Sequence, residues 1–124
     1  MTQAERHEGV LMTGRNGTDG TKAFYIEIEA RPDKVEEVRV MLRDILGCVE
    51  DEPETGPWYG VQFGPTTFGI FEVFPSIAGR QAHVDGGGGD IFRDIERMND
   101  ILAAPAHVHR LDVLFSKQIF TAAG

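Results

Sequence analysis

The chain has 124 residues, of which 41% are hydrophobic and 26% charged, and a formal net charge of -8 at neutral pH. That length supports one hydrophobic core and not two, and the acidic balance works against nucleic acid and anionic membrane surfaces, both of which reward clustered Lys and Arg. No apolar run nears the ~18 residues that span a bilayer, the single Cys48 has no internal disulfide partner, and Met1 to Glu8 hold no apolar signal core, so a cytoplasmic protein without a membrane partner is expected.

Residues 1–22 are rich in Gly, Thr and Asn and lack sustained periodicity, which predicts a flexible N-terminal arm. Within it, Val10-Leu11-Met12 offers either an edge strand or a contact with a partner subunit. Ala23 to Ala30 alternates Phe24, Ile26, Ile28 and Ala30 against Tyr25, Glu27 and Glu29, the pattern of a strand. Arg31-Pro32-Asp33 breaks it. Asp33 followed by Glu36 reads as a capping box, and Val35, Val38, Leu42, Ile45 and Val49 recur at helical spacing to about Glu50. Cys48 falls inside that pattern as a buried, inert thiol.

Glu52 to Pro57 has the composition of a loop. Trp58 to Phe63 alternates again, and Gly64-Pro65-Thr66 turns it back into the strand Phe68 to Phe74 as an antiparallel hairpin. That second strand is apolar on both faces, Phe68, Ile70 and Phe74 on one and Phe71 and Val73 on the other, so it is expected to be central and covered on both sides. Pro75 stops the ladder, and Ser76 caps a helix carrying Arg80 and His83. Glu72, the one carboxylate in the apolar run, and His83 just beyond it are the most suggestive chemical groups of the chain.

The run Asp85-Gly86-Gly87-Gly88-Gly89-Asp90 follows. A glycine-rich loop before a helix can bind phosphate through free N–H groups, but two aspartates flank this one and no Lys follows, so it reads as a hinge or helix break. Asp90 is positioned to cap a helix with Ile91, Ile95, Met98 and Leu102 on one face. After Pro105, His107 to Phe115 forms the last strand, with Arg110 and Asp112 on the face opposite His109 and Leu111; residues 118–124 are a tail. His107 and His109 share a face, but no third ligand stands nearby in sequence, so no metal site is expected.

The element order is strand, helix, strand, strand, helix, strand. It predicts an α+β, ferredoxin-like βαββαβ domain over residues 23–117, with a four-stranded antiparallel sheet and helices on one face. The other face is too apolar to stay wet, so a second copy is expected to cover it, giving a two-fold homodimer.

This element order, the Ala30-Arg31-Pro32-Asp33-Lys34 lead-in to the first helix, the Phe63-Gly64-Pro65-Thr66-Thr67-Phe68-Gly69 hairpin, Gly79-Arg80-Gln81-Ala82-His83 and Leu111-Asp112-Val113-Leu114 resemble the antibiotic biosynthesis monooxygenase (ABM) family of the dimeric α/β-barrel superfamily. The resemblance implies a dimeric α/β barrel and, for the characterised members, a monooxygenase without a cofactor that acts on quinols or phenolic polyketides. Haem-degrading relatives use an asparagine on the first strand, a tryptophan ending the third and a histidine on the second helix. None of these stands at the matching place here, and haem degradation is not expected.

Cofactor-free oxygenation needs a base to ionise a phenol or hydroquinone, a dry aromatic pocket and a donor for the developing oxyanion. On that reading His83 is the base or its orienter, Arg80 the oxyanion donor, and Glu72 an orienter of His83 or itself the base. Trp58, Tyr59, Phe71 and Phe74 supply substrate-binding walls, Tyr59 with a polar contact. Plainer roles compete: His83 bracing its helix, Glu72 pairing with Arg110, the aromatics as core. The rival function is a non-catalytic binding or stress-related protein on the same scaffold. An open cavity reaching His83 would favour the enzyme; a filled core would favour the rival.

Overall fold

In the computed structural model, which describes residues 6–117, a mixed five-stranded sheet carries all four helices on one face. The elements are β1 (Val10–Thr13), β2 (Lys22–Glu29), α1 (Val35–Val49), β3 (Trp58–Gln62), β4 (Thr67–Phe74), α2 (Ile77–Asp85), α3 (Gly87–Arg93), α4 (Ile95–Ile101) and β5 (Ala106–Asp112). The strand order is β1-β5-β2-β4-β3. Four antiparallel strands in the expected order form its body. The count of four is corrected to five, and the fifth is the edge strand that Val10-Leu11-Met12 offered: β1 pairs parallel to β5, with Val10 opposite Ala106 and Met12 opposite Val108. Part of the segment expected as a flexible arm is therefore a short edge strand, and Val10 packs against the core.

Even-numbered strand residues face the helices. Phe24, Ile26, Ile28, Phe68, Ile70, Phe74 and Val108 join Val38, Met41 and Ile45 of α1 and Met98 and Ile101 of α4 in one buried cluster. Burying each such side chain contributes about 1.5–3 kcal/mol, so this face is the main source of stability. β4 is central, between β2 and β3. Its second face, however, is not covered within the subunit. Phe71 is 37% exposed and its cross-strand partner Tyr59 59% exposed, and Val61 on β3 and Leu11 on the far edge strand β1 are exposed as well.

The helix ends differ from the sequence expectation in two places. Lys34, not Asp33, stands at the N-cap of α1 and no side chain caps it; a tight turn, Lys34 N–H to Arg31 O at 2.9 Å, takes the place of the capping box. The second helical half is three pieces. Asp90 lies inside α3, and Asp94 caps α4 by accepting from Arg97 N–H at 3.2 Å. The apolar spacing runs on through that break, so periodicity alone does not register it. Ser76 caps α2 as expected, accepting from Gly79 N–H at 3.0 Å. β5 stops at Asp112, short of the expected Phe115, and Phe115 is exposed. The expected tail at 118–124 lies outside the described residues.

Candidate active site

Between the helix layer and the sheet lies a partly open cavity of about 160 Å³, walled by apolar side chains that include Met12, Phe24, Ile26, Phe92 and Val108. Three polar side chains line it: Glu72, His83 and Arg93. Glu72 is there because β4 alternates and its even positions face the helices. Ile70 and Phe74 flank it on that face, and Phe24 and Trp58 are its neighbours across the strands. His83 reaches it from the last turn of α2, whose start the Ser76 cap holds.

Two carboxylates bracket the His83 ring. Nδ1 lies 2.7 Å from Glu52 Oε1, and Nε2 lies 3.1 Å from Glu72 Oε2. Thr55 Oγ1–H also donates to Glu52 Oε1, at 2.7 Å, and so steadies that loop carboxylate. The Glu72 contact is close enough for an ion pair but is not aligned as a hydrogen bond. Both Glu72 oxygens are buried without an aligned hydrogen-bond partner among the described residues. Glu72 is 1% exposed and His83 5%.

Burial by itself pushes an imidazole towards neutrality. Here Glu72 and then Glu52 outweigh that, and the His83 pKa is raised to about 9. Burial raises the Glu72 carboxyl above its ordinary value, and the His83 contact opposes that rise only in part. The arrangement is an imidazole whose charged form is favoured by two flanking acidic side chains, Glu52 towards the surface and Glu72 in the buried strand.

The glycine run is explained by this packing. A Cβ on Gly88 would stand 2.9 Å from His83 Cε1, and one on Gly89 1.8 Å from the Val84 carbonyl oxygen. Gly86 separates α2 from α3, so the run is the expected helix break, and it lets α3 close over the His83 ring.

The residues expected from sequence separate into three groups. His83, Glu72 and Phe74 come together, the Phe74 ring centroid 5.2 Å from that of His83. Trp58 shares their sheet face as Glu72's cross-strand partner, its indole N–H buried without a partner among the described residues. Tyr59 and Phe71 lie on the opposite, open face, because they are odd positions of their strands. Arg80 does not reach the cavity wall. Its guanidinium donates to Ala23 O, Leu111 O and Asn16 Oδ1 at 3.2, 3.3 and 2.9 Å and sits 5.3 Å from the Phe24 ring centroid, so it clasps the strand ends. Arg110, expected as a partner for Glu72, donates to the Thr13 and Gly14 carbonyl oxygens instead.

Sequence reasoning missed Glu52, which lies in a loop of ordinary acidic composition with no periodicity to point at it. It also missed the third member of a second group on the open face: Glu27 Oε1 is 2.7 Å from His109 Nε2, with His107 alongside.

Solved structures with this architecture place the chain. A protein of unknown function from Nitrosomonas europaea superposes with a TM-score of 0.73 at 28% identity, over 85% of this chain and 97% of that one. A provisionally assigned antibiotic biosynthesis monooxygenase from Caulobacter crescentus matches at 0.66 and 18% identity, over 78% of this chain and 92% of that one. Another so assigned, from Nitrosomonas europaea, matches at 0.69 and 18%, over 82% and 97%. The fold is that of the antibiotic biosynthesis monooxygenase domain. No protein-family profile and no curated protein matches the chain. On this ABM fold, β1 is the strand added to the four that were expected, and the cavity lies between sheet and helices.

Proposed function

We propose that the chain is a cofactor-independent monooxygenase acting on a phenolic or quinol-like molecule held in the cavity between sheet and helices. The observation that carries this reading is Glu72, a residue lining the apolar hollow whose carboxylate is buried without an aligned hydrogen bond among the described residues, with the His83 ring beside it. A desolvated carboxylate is a stronger base than a surface one. It removes the phenolic proton, and the positive ring next to it offsets the negative charge that appears on the substrate. The phenolate gives up an electron to O₂ more readily than the neutral phenol does. For an activated ring methylene the balanced change is CH₂ plus O₂ to C=O plus H₂O, so the substrate itself is the reductant.

The geometry supports Glu72 over His83 as the base. An imidazolium has no lone pair with which to accept a proton, and His83 becomes the charge that supports the carboxylate. Arg80 is too occupied by carbonyl oxygens to serve as the oxyanion donor. The cavity volume favours a single ring at the reacting end, since an apolar cavity of about 150 Å³ holds one benzene. A larger substrate would extend past Phe92 and Arg93.

An open cavity that reaches His83 favours this reading over the non-catalytic binding protein. Oxygen uptake with a panel of quinols and phenols, alongside thermal shift with the same compounds, tests it. Ligands that raise the melting temperature without O₂ uptake would return the chain to the binding class. The bare sheet face, with Leu11, Tyr59, Val61 and Phe71 exposed, supports a homodimer in which a second copy covers it.

A further inference from the structure

On the open face, away from the cavity, three side chains with metal-binding chemistry converge. His107 and His109 are two apart on β5 and so point the same way. In the antiparallel pairing of β2 with β5, Glu27 stands directly opposite His107 and Tyr25 opposite His109. One ligand atom from each of Glu27, His107 and His109 lies within 4.8 Å of the other two. The two imidazole rings stack with centroids 3.8 Å apart, which turns their edges in a common direction. His109 Nε2 is 2.7 Å from Glu27 Oε1, and His107 Nε2 is 2.9 Å from Thr13 Oγ1 on β1.

We propose that Glu27, His107 and His109 form a binding site for a first-row divalent cation such as Zn²⁺, Co²⁺ or Ni²⁺. Two imidazoles and one carboxylate suit such ions, whereas Mg²⁺ and Ca²⁺ take oxygen donors. A Zn²⁺ ion sits about 2.0–2.2 Å from nitrogen and oxygen ligands. It would replace the proton shared by His109 and Glu27 and spread those atoms to roughly 3–3.5 Å, a side-chain movement that leaves the strand register untouched. Three ligands leave at least one position open, and the Thr13 hydroxyl already lies against one of the imidazoles. The backbone holds all three residues through the β2–β5 ladder, so little ordering is needed on binding. The cavity group is a different case. Glu52 and Glu72 stand at opposite nitrogens of one His83 ring and cannot meet at one ion.

The inference stands on side chains of one subunit and does not depend on the oxygenase reading. The test is a Co²⁺ titration of tag-free protein, followed by visible absorption and competed with Zn²⁺. The expected result is about one ion per chain, lost at least ~10-fold in affinity in His109→Ala and in Glu27→Gln, and kept in His83→Ala. Glu27→Gln retains the shape of the side chain, so an unchanged melting temperature with weakened metal binding separates coordination from folding. Equal affinity in the wild type, Glu27→Gln and the His107→Ala/His109→Ala double variant would overturn the site.

Discussion

His83 Nε2 stands 3.1 Å from Glu72 Oε2, and both residues line one apolar cavity. A buried carboxyl group and its counter-charge therefore sit together at the boundary between an apolar cavity and the protein's outer layer. The ring is also held from behind by Glu52, whose Oε1 lies 2.7 Å from Nδ1.

Replacing that carboxylate isolates its role. Glu72→Gln keeps the volume and removes the proton acceptor, and general-base catalysis is worth about 10²–10⁴ in rate. A substrate found by O₂ uptake should therefore lose at least ~100-fold in kcat. The melting temperature should fall, because the buried His83 ring loses the more deeply buried of its two counter-charges and keeps only Glu52. A fall in kcat of less than ~10-fold in a folded variant would remove Glu72 as base.

Stability should fall as the pH rises. The His83 pKa is raised in the folded state, from 6.5 to about 9, so its contribution is complete below about pH 6.5 and is lost through about pH 9. The shift corresponds to roughly 3 kcal/mol, as an upper bound for a coupled group. Glu72, also raised by burial, acts in the same direction. Urea unfolding of the wild type and His83→Gln at about pH 6 and about pH 10 measures this. Parallel pH profiles for the two proteins would contradict it.

Gly88→Ala probes the fit of α3 on the histidine. The added Cβ would stand 2.9 Å from His83 Cε1, so either the ring or α3 must move. A loss of about 1–3 kcal/mol is expected from such overpacking, together with weaker ligand binding in thermal shift. The same change at Gly47, where a Cβ meets nothing within 4 Å, should stabilise or be neutral.

Phe71→Asp places a charge on the open sheet face opposite Tyr59. If a second copy covers that face, light scattering should report a shift from dimer to monomer. The circular dichroism spectrum should be kept, since Phe71 is outside the buried cluster. A wild type that is monomeric at all concentrations would rule out the covering copy.

Most of the fold was legible because periodicity is a local property. The alternation from Phe24 to Ile28 and from Phe68 to Phe74 and the three-and-four spacing from Val35 to Val49 each reflect one buried face, and any chain with them must bury it. The Ser76 cap and the glycine break were readable for the same reason. The break at Asp94 and the parallel pairing of Val10 with Ala106 were not. Both depend on which distant segment supplies the hydrogen-bond partner.

Of the site, the sequence by itself determined its centre: a lone carboxylate in an apolar strand and a histidine one helix later are unusual neighbours in any register. Only the tertiary structure decided their roles. It set Glu52 on the side of His83 opposite Glu72, so that both favour the charged ring, it turned Tyr59 and Phe71 to the opposite face, and it committed Arg80 to two backbone carbonyls and Asn16. It also brought Glu27 to His107 and His109. Such pairings join residues 31 to 82 positions apart, and strand register and helix docking, which no local pattern encodes, determine which of them meet.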